Sequence, residues 1–493
     1  MRPFRFRMRQ RMVPAKGAGQ STARGHPNHH SVIDLIAITN PLRVVPQTGP
    51  RAQCEGLPIL IHHGGPSAHP VYCRKLFHWS SFVRWGDMAQ DLDEFGTARL
   101  QQYLNRLGTH LKDHRKRESF AIYAFGMLGD SARKSVEPIA ALACPDPELT
   151  KKMHDKLLHF VGHSEWSDEQ VRLEATRYVC EVLAEQEPVT TWVIDDTGFL
   201  KQGTHSVGVQ RQYTGSAGKI ANCQIGVSLE IATATQHAPI DFALYLPESW
   251  TSDPVRCQQA RIPGDVQFKT KVALALDMIQ RAARAKVPGE IILADSGYGE
   301  SCEFRTTVRS LGFDYAVGIH STTKVRRIRA NGRLGKPMSV RDLARTIPHR
   351  KRRKLRWREG TQGTLWGRFS FSHVKTTHDD GTPIDEREEQ WLVVEWPLDD
   401  EQATKFYLTT LPRRMSHKQN VRIIKERWRT ERMYEDLKGE LGLDHFEGRS
   451  WHGWHHHVSV VICCYAFIVA EKARAFPPSA TSKGGANAFP LAA

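Results

Sequence analysis

The chain has 493 residues, a formal net charge of +16 at pH 7 and a sequence pI near 9.5. This length exceeds what one hydrophobic core usually organises, so two or more compact units are expected. The charge disfavours self-association and favours polyanionic partners, of which nucleic acid and an acidic membrane surface are the first candidates.

The positive charge is concentrated in one stretch. Between residues 321 and 358 there are 15 Lys or Arg residues and a single acid, Asp342, as counted along the sequence. A basic patch of this density usually faces phosphate.

Neither a zinc site, nor export, nor membrane insertion is indicated. The 9 cysteines form no CxxC pair and no short spacing with histidine, which is typical of a reducing cytosol. The basic N-terminus MRPFRFRMRQRM lacks the apolar run of a secretory signal, and the most apolar stretch, 458–470, is too short to span a bilayer. We therefore expect a cytoplasmic protein without membrane contact.

The first part of the chain divides into an unpatterned and a helical segment. Residues 1–81 show no sustained period, so we expect a poorly structured extension, and we hypothesise that an over-extended start site contributes it. Over residues 82–188 apolar positions recur three and four apart, which predicts an all-helical N-terminal domain with a role in DNA binding. A turn at Gly129 would let Arg133 and Lys134 reach DNA, although plain packing is the commoner role of such a turn.

The rest of the chain has the pattern of an α/β core with an insertion. Residues 189–320 contain short β-rich runs around one helical segment, which predicts the first part of a catalytic core. Residues 321–412 are basic and β-rich and are predicted to form an insertion. Residues 413–472 return to a helical pattern that completes the core, and residues 473–493 are predicted to be a disordered tail.

Three acids lie where apolar strands are predicted to end. Asp195 and Asp196 follow the run TTWVI, and Asp295 follows EIILA. Acids at strand ends face a crevice and are natural metal ligands. Side chains alternate along a strand, so only one of Asp195 and Asp196 can belong to a given site. Taken singly, each acid is equally well explained as a turn or cap residue.

A predicted helix supplies a third acid. In ERWRTERMYEDLKGELGLDHF, the spacing of Arg427, Glu431 and Lys438 places all three on one helical face. By itself an Arg–Glu pair four residues apart is commonly a solvated surface salt bridge. The joint pattern with the strand-end acids is more informative.

Together, IDDTGF, ADSGYG and RWRTE with a lysine seven residues after the Glu resemble the DDE-type insertion-sequence transposases. The closest likeness is to the branch with a β-strand insertion and a Tyr-Arg-Glu-Lys helix signature. GVQRQYTGSAGKIANCQIGVSLE, DFALYLPESWTSD and GLDHFEGRSWHGWHHH also resemble blocks of that branch, and the resemblance covers about residues 82–470. The chain departs from it at Ile424, where the signature has Tyr, so a contact of that Tyr with the cleaved strand is not expected here.

The resemblance implies a fold and a set of metal ligands. The fold is α/β: a ribonuclease H-like mixed sheet with flanking helices, interrupted by the β-rich insertion and preceded by the all-helical N-terminal domain. Asp196, Asp295 and Glu431 are implied to be catalytic and to bind two Mg²⁺ ions, with Mn²⁺ as a substitute. Asp196 is preferred to Asp195 because the family has Thr after the first acid, as Thr197 stands here.

The resemblance also implies DNA contacts. Arg427 and Lys438 would neutralise phosphates beside the scissile bond, unless they pair with Glu431 or Glu435. Relatives hold a flipped base with an aromatic residue of the insertion, although each tryptophan here also fits the core of a β-sheet. The predicted DNA-binding residues of the insertion are Arg350, Lys351, Arg352, Arg353, Trp357 and Trp366.

The implied function is that of a transposase. It would bind terminal inverted repeats as a homodimer in the synaptic complex, at the bacterial nucleoid, and would cut and rejoin double-stranded DNA. No nucleotide is expected, because YTGSAGKI has Tyr213 and Ile220 where a phosphate-binding loop needs Gly and Ser or Thr. The alternatives are a non-cutting DNA-binding relic or repressor of the element, and a general ribonuclease H-like nuclease.

Overall fold

The computed structural model describes residues 94–477 apart from 361–362, 378–382 and 385. The predictions for residues 1–81 and for all but the first few residues of the tail at 473–493 lie outside the described residues. Within the described part, none of the helices has the length and apolar character needed to cross a membrane.

The described N-terminal segment is helical. Asp146 and Ser167 begin the fourth and fifth helices by accepting hydrogen bonds from free main-chain N–H groups of the first turn. The helices are α1 (Glu94–Gly108), α2 (His114–Leu128), α3 (Val136–Ala143), α4 (Pro147–Gly162) and α5 (Asp168–Ala184).

The turn after α2 was predicted to present Arg133 and Lys134 to DNA, and the structure shows a different environment for these residues. Lys134 is buried and its Nζ donates to the carbonyl of Gly129, while Arg133 forms an ion pair with Glu447. The turn therefore packs against the C-terminal part of the chain, and Lys134 is not presented to solvent.

The α/β core begins with an antiparallel meander and continues with parallel strands. β3 pairs antiparallel with both β1 and β4, whereas β1, β5 and β6 are parallel neighbours. This arrangement confirms the predicted ribonuclease H-like sheet. The strands are β1 (Thr191–Leu200), β2 (Gln210–Thr214), β3 (Lys219–Ala232), β4 (His237–Tyr245), β5 (Ile291–Ala294) and β6 (Asp314–Ile319). The helices are α6 (Glu248–Thr251), α7 (Pro254–Gln259), α8 (Lys271–Arg284), α9 (Ser296–Gly299) and α10 (Cys302–Ser310).

The β-rich region that follows extends the same sheet. β12 pairs antiparallel with β6, and β11, β10, β7 and β8 continue outward from it, with β9 paired to β10. The described strands thus form one 12-stranded sheet. The elements are β7 (Lys324–Arg327), β8 (Met338–Ser339), α11 (Val340–Arg345), β9 (Arg353–Gly360), β10 (Gly363–Thr376), β11 (Gln390–Trp396) and β12 (Lys405–Thr409).

Three helices complete the described fold: α12 (His417–Lys425), α13 (Trp428–Gly439) and α14 (Trp451–Ala475). A break separates α12 from α13, because main-chain hydrogen bonds there span three residues, as from Arg429 N to Glu426 O at 3.0 Å. The apolar α14 packs against α2, α4, α5 and β4, so it joins the N-terminal helices to the sheet.

Candidate active site at the ends of β1 and β5

The register of two parallel strands determines which acids share a face. Val193 pairs with Leu293, and both belong to the apolar cluster that also contains residues of α12. Asp195 and Asp295 lie two residues further along these strands. Asp295 keeps an extended backbone, with φ −81° and ψ −173°. Because side chains two residues apart point the same way, the carboxylates of Asp195 and Asp295 leave the sheet on the same face.

The carboxyl group of Asp195 is largely withdrawn from solvent. Its side chain is 13% exposed, accepts a hydrogen bond from Arg427 and accepts another from the main-chain N–H of Asp196 at 2.9 Å. Burial raises the pKa of Asp195 to about 7, against the lowering effect of Arg427 and with a further raising effect of Asp295. The poorly solvated carboxylate of Asp195 thus lies where added positive charge is favourable, and Asp295 lies near enough to affect its pKa.

Arg427, at the start of α13, lies among three acids. Burial lowers the pKa of its guanidinium, but the charges of Asp195, Asp295 and Glu431 outweigh burial, so the pKa is raised overall. Glu431 is exposed and makes no hydrogen bond within the described residues. Arg427 thus feels the charges of Asp295 and Glu431, two of the predicted metal ligands, and of Asp195, while their role as ligands stays a prediction.

Asp196 lies on the other face of β1. Its Oδ2 is 3.0 Å from Nζ of Lys271, which begins α8, and it accepts a hydrogen bond from the hydroxyl of Tyr298 at 3.3 Å. The neighbouring Ile194 belongs to the larger apolar cluster on that face. The assignment of Asp196 as a metal ligand stays a prediction, and the geometry favours Asp195 as the partner of Asp295.

The donor set is suitable for a hard divalent cation. Within the described ranges, no three His, Cys, Asp or Glu side chains lie close enough together to hold a metal ion, and Glu431 is exposed. Asp195 and Asp295 nevertheless supply oxygen donors on one face, and oxygen is the donor that Mg²⁺ and Mn²⁺ prefer. The raised pKa of Asp195 reflects a burial penalty and carboxylate repulsion that a bound cation would offset.

Hydrogen bonds that sequence reasoning missed hold α13 on the sheet. Thr430 Oγ1 donates to Glu230 at 3.2 Å, and the hydroxyl groups of Ser228 and Tyr434 lie 2.5 Å apart. Burial raises the pKa of Glu230 well above its ordinary value, and the charge of Asp195 raises it further. The one available signal was a lone acid in the apolar run GVSLEIAT.

Lys438 binds the end of β1. Its Nζ donates to Thr197 Oγ1 and to the carbonyl of Gly198, both at 2.8 Å, and to Ser216 Oγ at 3.2 Å. Burial lowers the pKa of Lys438. None of the described ion pairs joins Lys438 to Glu431 or Glu435. Through its three hydrogen bonds, Lys438 connects α13 to β1 and to the turn before β3.

The predicted basic residues of the insertion differ in exposure. Arg350, Lys351 and Arg353 are exposed. Arg352 is turned inward, where its guanidinium pairs with Glu401 and lies 4.7 Å from the ring centre of Trp396. The DNA contact predicted for Arg352 would therefore have to displace an intramolecular pair.

The two predicted tryptophans also differ. Trp357 is half-buried, with Nζ of Lys425 at 5.0 Å from its ring centre, whereas Trp366 is 44% exposed with Nζ of Lys354 at 5.2 Å. Trp366 is thus the more accessible of the two aromatic faces.

The insertion contacts α13 through a stacked pair that the sequence did not reveal. The guanidinium of Arg358 lies 3.6 Å from the ring centre of Trp428, next to Arg427 in the chain. Ile424, at the position of the signature Tyr, is buried in the apolar cluster between α12 and the sheet. The side chain at 424 therefore contributes to packing.

Comparisons with known proteins identify the family of the chain. Residues 106–364 match the family model described as DDE superfamily endonuclease. Over 210 residues the chain is 28% identical to a protein of Microchaete diplosiphon described as a probable transposase for insertion sequence element IS701, which covers 42% of this chain. The chain spans about half (50%) of the length of that relative. Because the family model covers more than half of the chain, the chain belongs to the DDE superfamily endonucleases.

Proposed function

We propose that the protein is a DNA transposase that binds the terminal inverted repeats of its element, cuts there and joins the freed end to target DNA. The observation that carries the proposal is the set of three acids around Arg427: Asp195, Asp295 and Glu431. The relative described as a probable insertion-sequence transposase supports the choice of DNA ends as substrate. Double-stranded DNA at the bacterial nucleoid and a second protomer in the synaptic complex complete the proposal.

In the proposed site Asp195, Asp295 and Glu431 hold divalent cations, Mg²⁺ or Mn²⁺. Two such ions, when bound, stabilise the attacking and leaving oxygens of an in-line displacement at phosphorus. A hydroxyl of water or of the DNA end serves as nucleophile, so no protein nucleophile is required. Family membership supports metal dependence, and the ion count and identity are part of the proposal.

Arg427 has two roles in this proposal. With the acids unmetallated, its guanidinium offsets their charge and keeps the carboxylate of Asp195 on the α13 side of the sheet. When cations take over that charge, the planar guanidinium is suited to a bidentate contact with a phosphate beside the scissile bond.

The test compares two neighbouring acids in matched variants. We expect Asp195→Asn, Asp295→Asn and Glu431→Gln each to reduce Mg²⁺-dependent cleavage of terminal-repeat DNA by at least about 10³-fold, because each removes a charged oxygen ligand. Asp196→Asn, on the opposite face, should retain cleavage to within about tenfold. Cleavage is measured on labelled duplexes, with binding measured in parallel to show that each variant is folded.

Three results would contradict parts of the proposal. Loss of cleavage in Asp196→Asn with full cleavage in Asp195→Asn would restore Asp196 as the ligand. Unchanged cleavage in all four variants would remove the metal site. A wild-type protein that binds the repeats but never cuts them with Mg²⁺ or Mn²⁺ would be a binding protein of the element, and cleavage without any need for repeat ends would indicate a general nuclease.

A further inference from the structure

An exposed apolar pair stands next to the candidate active site. β2, the turn at residues 215–218 and the first part of β3 form a β-hairpin, here called the tip hairpin (residues 210–223). Tyr213 and Ile220 are direct partners across it and are 65% and 60% exposed. Partners in an antiparallel pair have adjacent side chains on one face, so the two form one apolar surface.

The tip hairpin is fixed to the end of β1. Thr214 is fully buried, and a Cβ built on Gly198 would lie only 1.9 Å from its Oγ1, so the hairpin approaches β1 as closely as a glycine allows. Ser216, in the turn, accepts a hydrogen bond from the N–H of Gly198 at 3.2 Å and one from Lys438 at 3.2 Å. Tyr213 and Ile220 are therefore exposed on a hairpin that is held in place by packing and hydrogen bonds.

The attachment to β1 places the tip hairpin near the acids of the candidate site. Gly198 is three residues after Asp195 on β1, and Lys438 lies seven residues after Glu431 on α13. Two of the three elements that carry acids of the candidate site, β1 and α13, thus also hold the turn of the tip hairpin. We therefore expect a DNA substrate bound at these acids to contact the tip hairpin.

The segment that contains the hairpin is basic. From Thr197 to Leu229 the chain has Lys201, Arg211 and Lys219 and no Asp or Glu. Arg211 is exposed and follows the same alternation as Tyr213, so both lie on one face of the hairpin. An exposed apolar pair with a cation on the same face complements a nucleic acid, whose phosphates attract the cation while base faces accept the apolar groups.

Building on the proposed function, we propose that Tyr213 and Ile220 act as a wedge that packs against bases beside the scissile phosphate and opens the base stack there. Apolar side chains inserted at a base step unstack the duplex locally, and an aromatic ring stacks on a freed base of any sequence. The wedge would give the acids access to a phosphate at the transposon end. Arg211 and Lys219 hold the flanking backbone.

Base unstacking is measured without relying on cleavage. A terminal-repeat duplex carries 2-aminopurine at successive positions around the cut site, and protein is added in EDTA. We expect wild-type protein to raise the fluorescence at one or two of these positions, and Tyr213→Ala and Ile220→Ala to lose most of that rise. Tyr213→Phe should retain it. Val255→Ala, at a residue 64% exposed on α7, is the matched control and should behave as wild type.

Cleavage with Mg²⁺ gives the second readout. On fully paired ends, the Tyr213→Ala and Ile220→Ala double variant should cut about tenfold or more slowly than wild type, because loss of stacking weakens contact with a base. On ends that already contain unpaired bases at the cut site, the double variant should recover to within about twofold of wild type.

The outcomes separate the wedge from the proposed function. If wild-type protein fails to cut either substrate, the proposed function fails. If wild-type protein cuts but the double variant matches it in fluorescence and on paired ends, the wedge is wrong. A third outcome is that light scattering shows a dimer for wild type and a monomer for the double variant, while the double variant keeps the fluorescence rise. The apolar pair would then be a contact between two copies of the chain, which also overturns the wedge.

Discussion

One cation offsets three carboxylates at the centre of the candidate site. Arg427 bonds to Asp195 and feels the charges of Asp295 and Glu431, so its own pKa is raised even though burial lowers it. An arginine keeps its charge throughout the physiological pH range. Arg427 therefore offsets part of the charge of these acids without any divalent cation.

The choice between Asp195 and Asp196 shows what a sequence can and cannot predict at this scale. Alternation along β1 indicated that only one neighbour faces the site, and it gave no means of choosing. The choice depends on how β1 is aligned with β5, whose register pairs Val193 with Leu293. That alignment is a contact between residues 100 positions apart, and the local spacing of apolar residues does not determine it.

Histidine 457 is a buried group whose protonation opposes folding. Its Nε2 donates to the carbonyl of Gly442 at 3.0 Å, so its Nδ1 accepts from the hydroxyl of Tyr123 at 2.9 Å. Burial lowers the pKa of His457 from 6.5 to about 4. Because the unfolded chain binds this proton more readily, the stabilising effect is present above pH 6.5 and is lost as the pH falls towards 4.

We expect His457→Gln to reverse part of this acid sensitivity. Glutamine can donate and accept in the same place without titrating, so it should cost about 1–2 kcal/mol at pH 7. Between pH 7 and pH 4 wild type should lose about 3 kcal/mol that the variant does not lose, so the variant should become the more stable protein at pH 4. Urea titrations at several pH values measure it. His452→Gln, exposed on the same helix, is the control, and equal pH profiles for both variants would contradict the interpretation.

At the scale of elements, a buried ion-pair network connects the N-terminal helices to the sheet. Arg172 of α5 pairs with Asp168 one turn earlier and lies 3.2 Å from Asp241 of β4. It also donates to Ser459 of α14 at 2.6 Å. Burial raises the pKa of Asp168, but Arg172 outweighs burial and the pKa is lowered overall. One guanidinium thus joins three elements.

Arg172→Leu should destabilise the fold by about 3–5 kcal/mol, because it leaves Asp168 without its cation and leaves the buried Asp241 with Arg281 alone. Arg177→Leu is the matched control on the same helix. Because the pair of Arg177 with Glu174 is exposed on the arginine side, its loss should lower the free energy of unfolding by about 1 kcal/mol or less. Thermal and denaturant unfolding at pH 7 compare the variants.

The pH dependence of this network has a defined sign. Since the folded pKa of Asp168 is lowered, the network stabilises wild type above about pH 4, and this stabilisation is lost as the pH falls further. The deficit of Arg172→Leu should therefore shrink in acid, and a deficit equal to that of the Arg177 control at pH 7 would contradict the role given to Arg172.

Sequence periodicity predicted most elements, and the structure adds features that periodicity alone does not determine. Helical spacing from Lys418 to Leu441 is continuous, yet a three-residue hydrogen-bond pattern at Arg427 breaks the helix where the guanidinium turns towards Asp195. The β-rich region was expected as an insertion, and its strands extend the core sheet because β12 pairs with β6. Lys134 is polar in sequence but is buried by packing against residues more than 300 positions later, as its hydrogen bond to His445 shows.

At the scale of the whole molecule, the cations of the insertion lie on the sheet that carries the acids. The sheet runs without interruption from β1 through β6 and β12 to β10, which pairs with β9. Arg350 and Lys351 are exposed directly before β9. A duplex engaged at the acids can therefore extend over this basic edge, and the charge of +16 contributes to binding through counterion release.

The salt dependence of DNA binding tests this arrangement. If Arg350 and Lys351 each contact a phosphate, the Arg350→Gln and Lys351→Gln double variant should reduce the slope of log K against log salt by about 2. The control double variant is Arg284→Gln and Lys286→Gln at the far end of α8. The 14 residues of that helix put these cations about 20 Å from Lys271, which pairs with Asp196 at the end of β1. The control should leave the slope unchanged, and equal slopes for both double variants would show that the duplex does not follow the basic edge of the insertion.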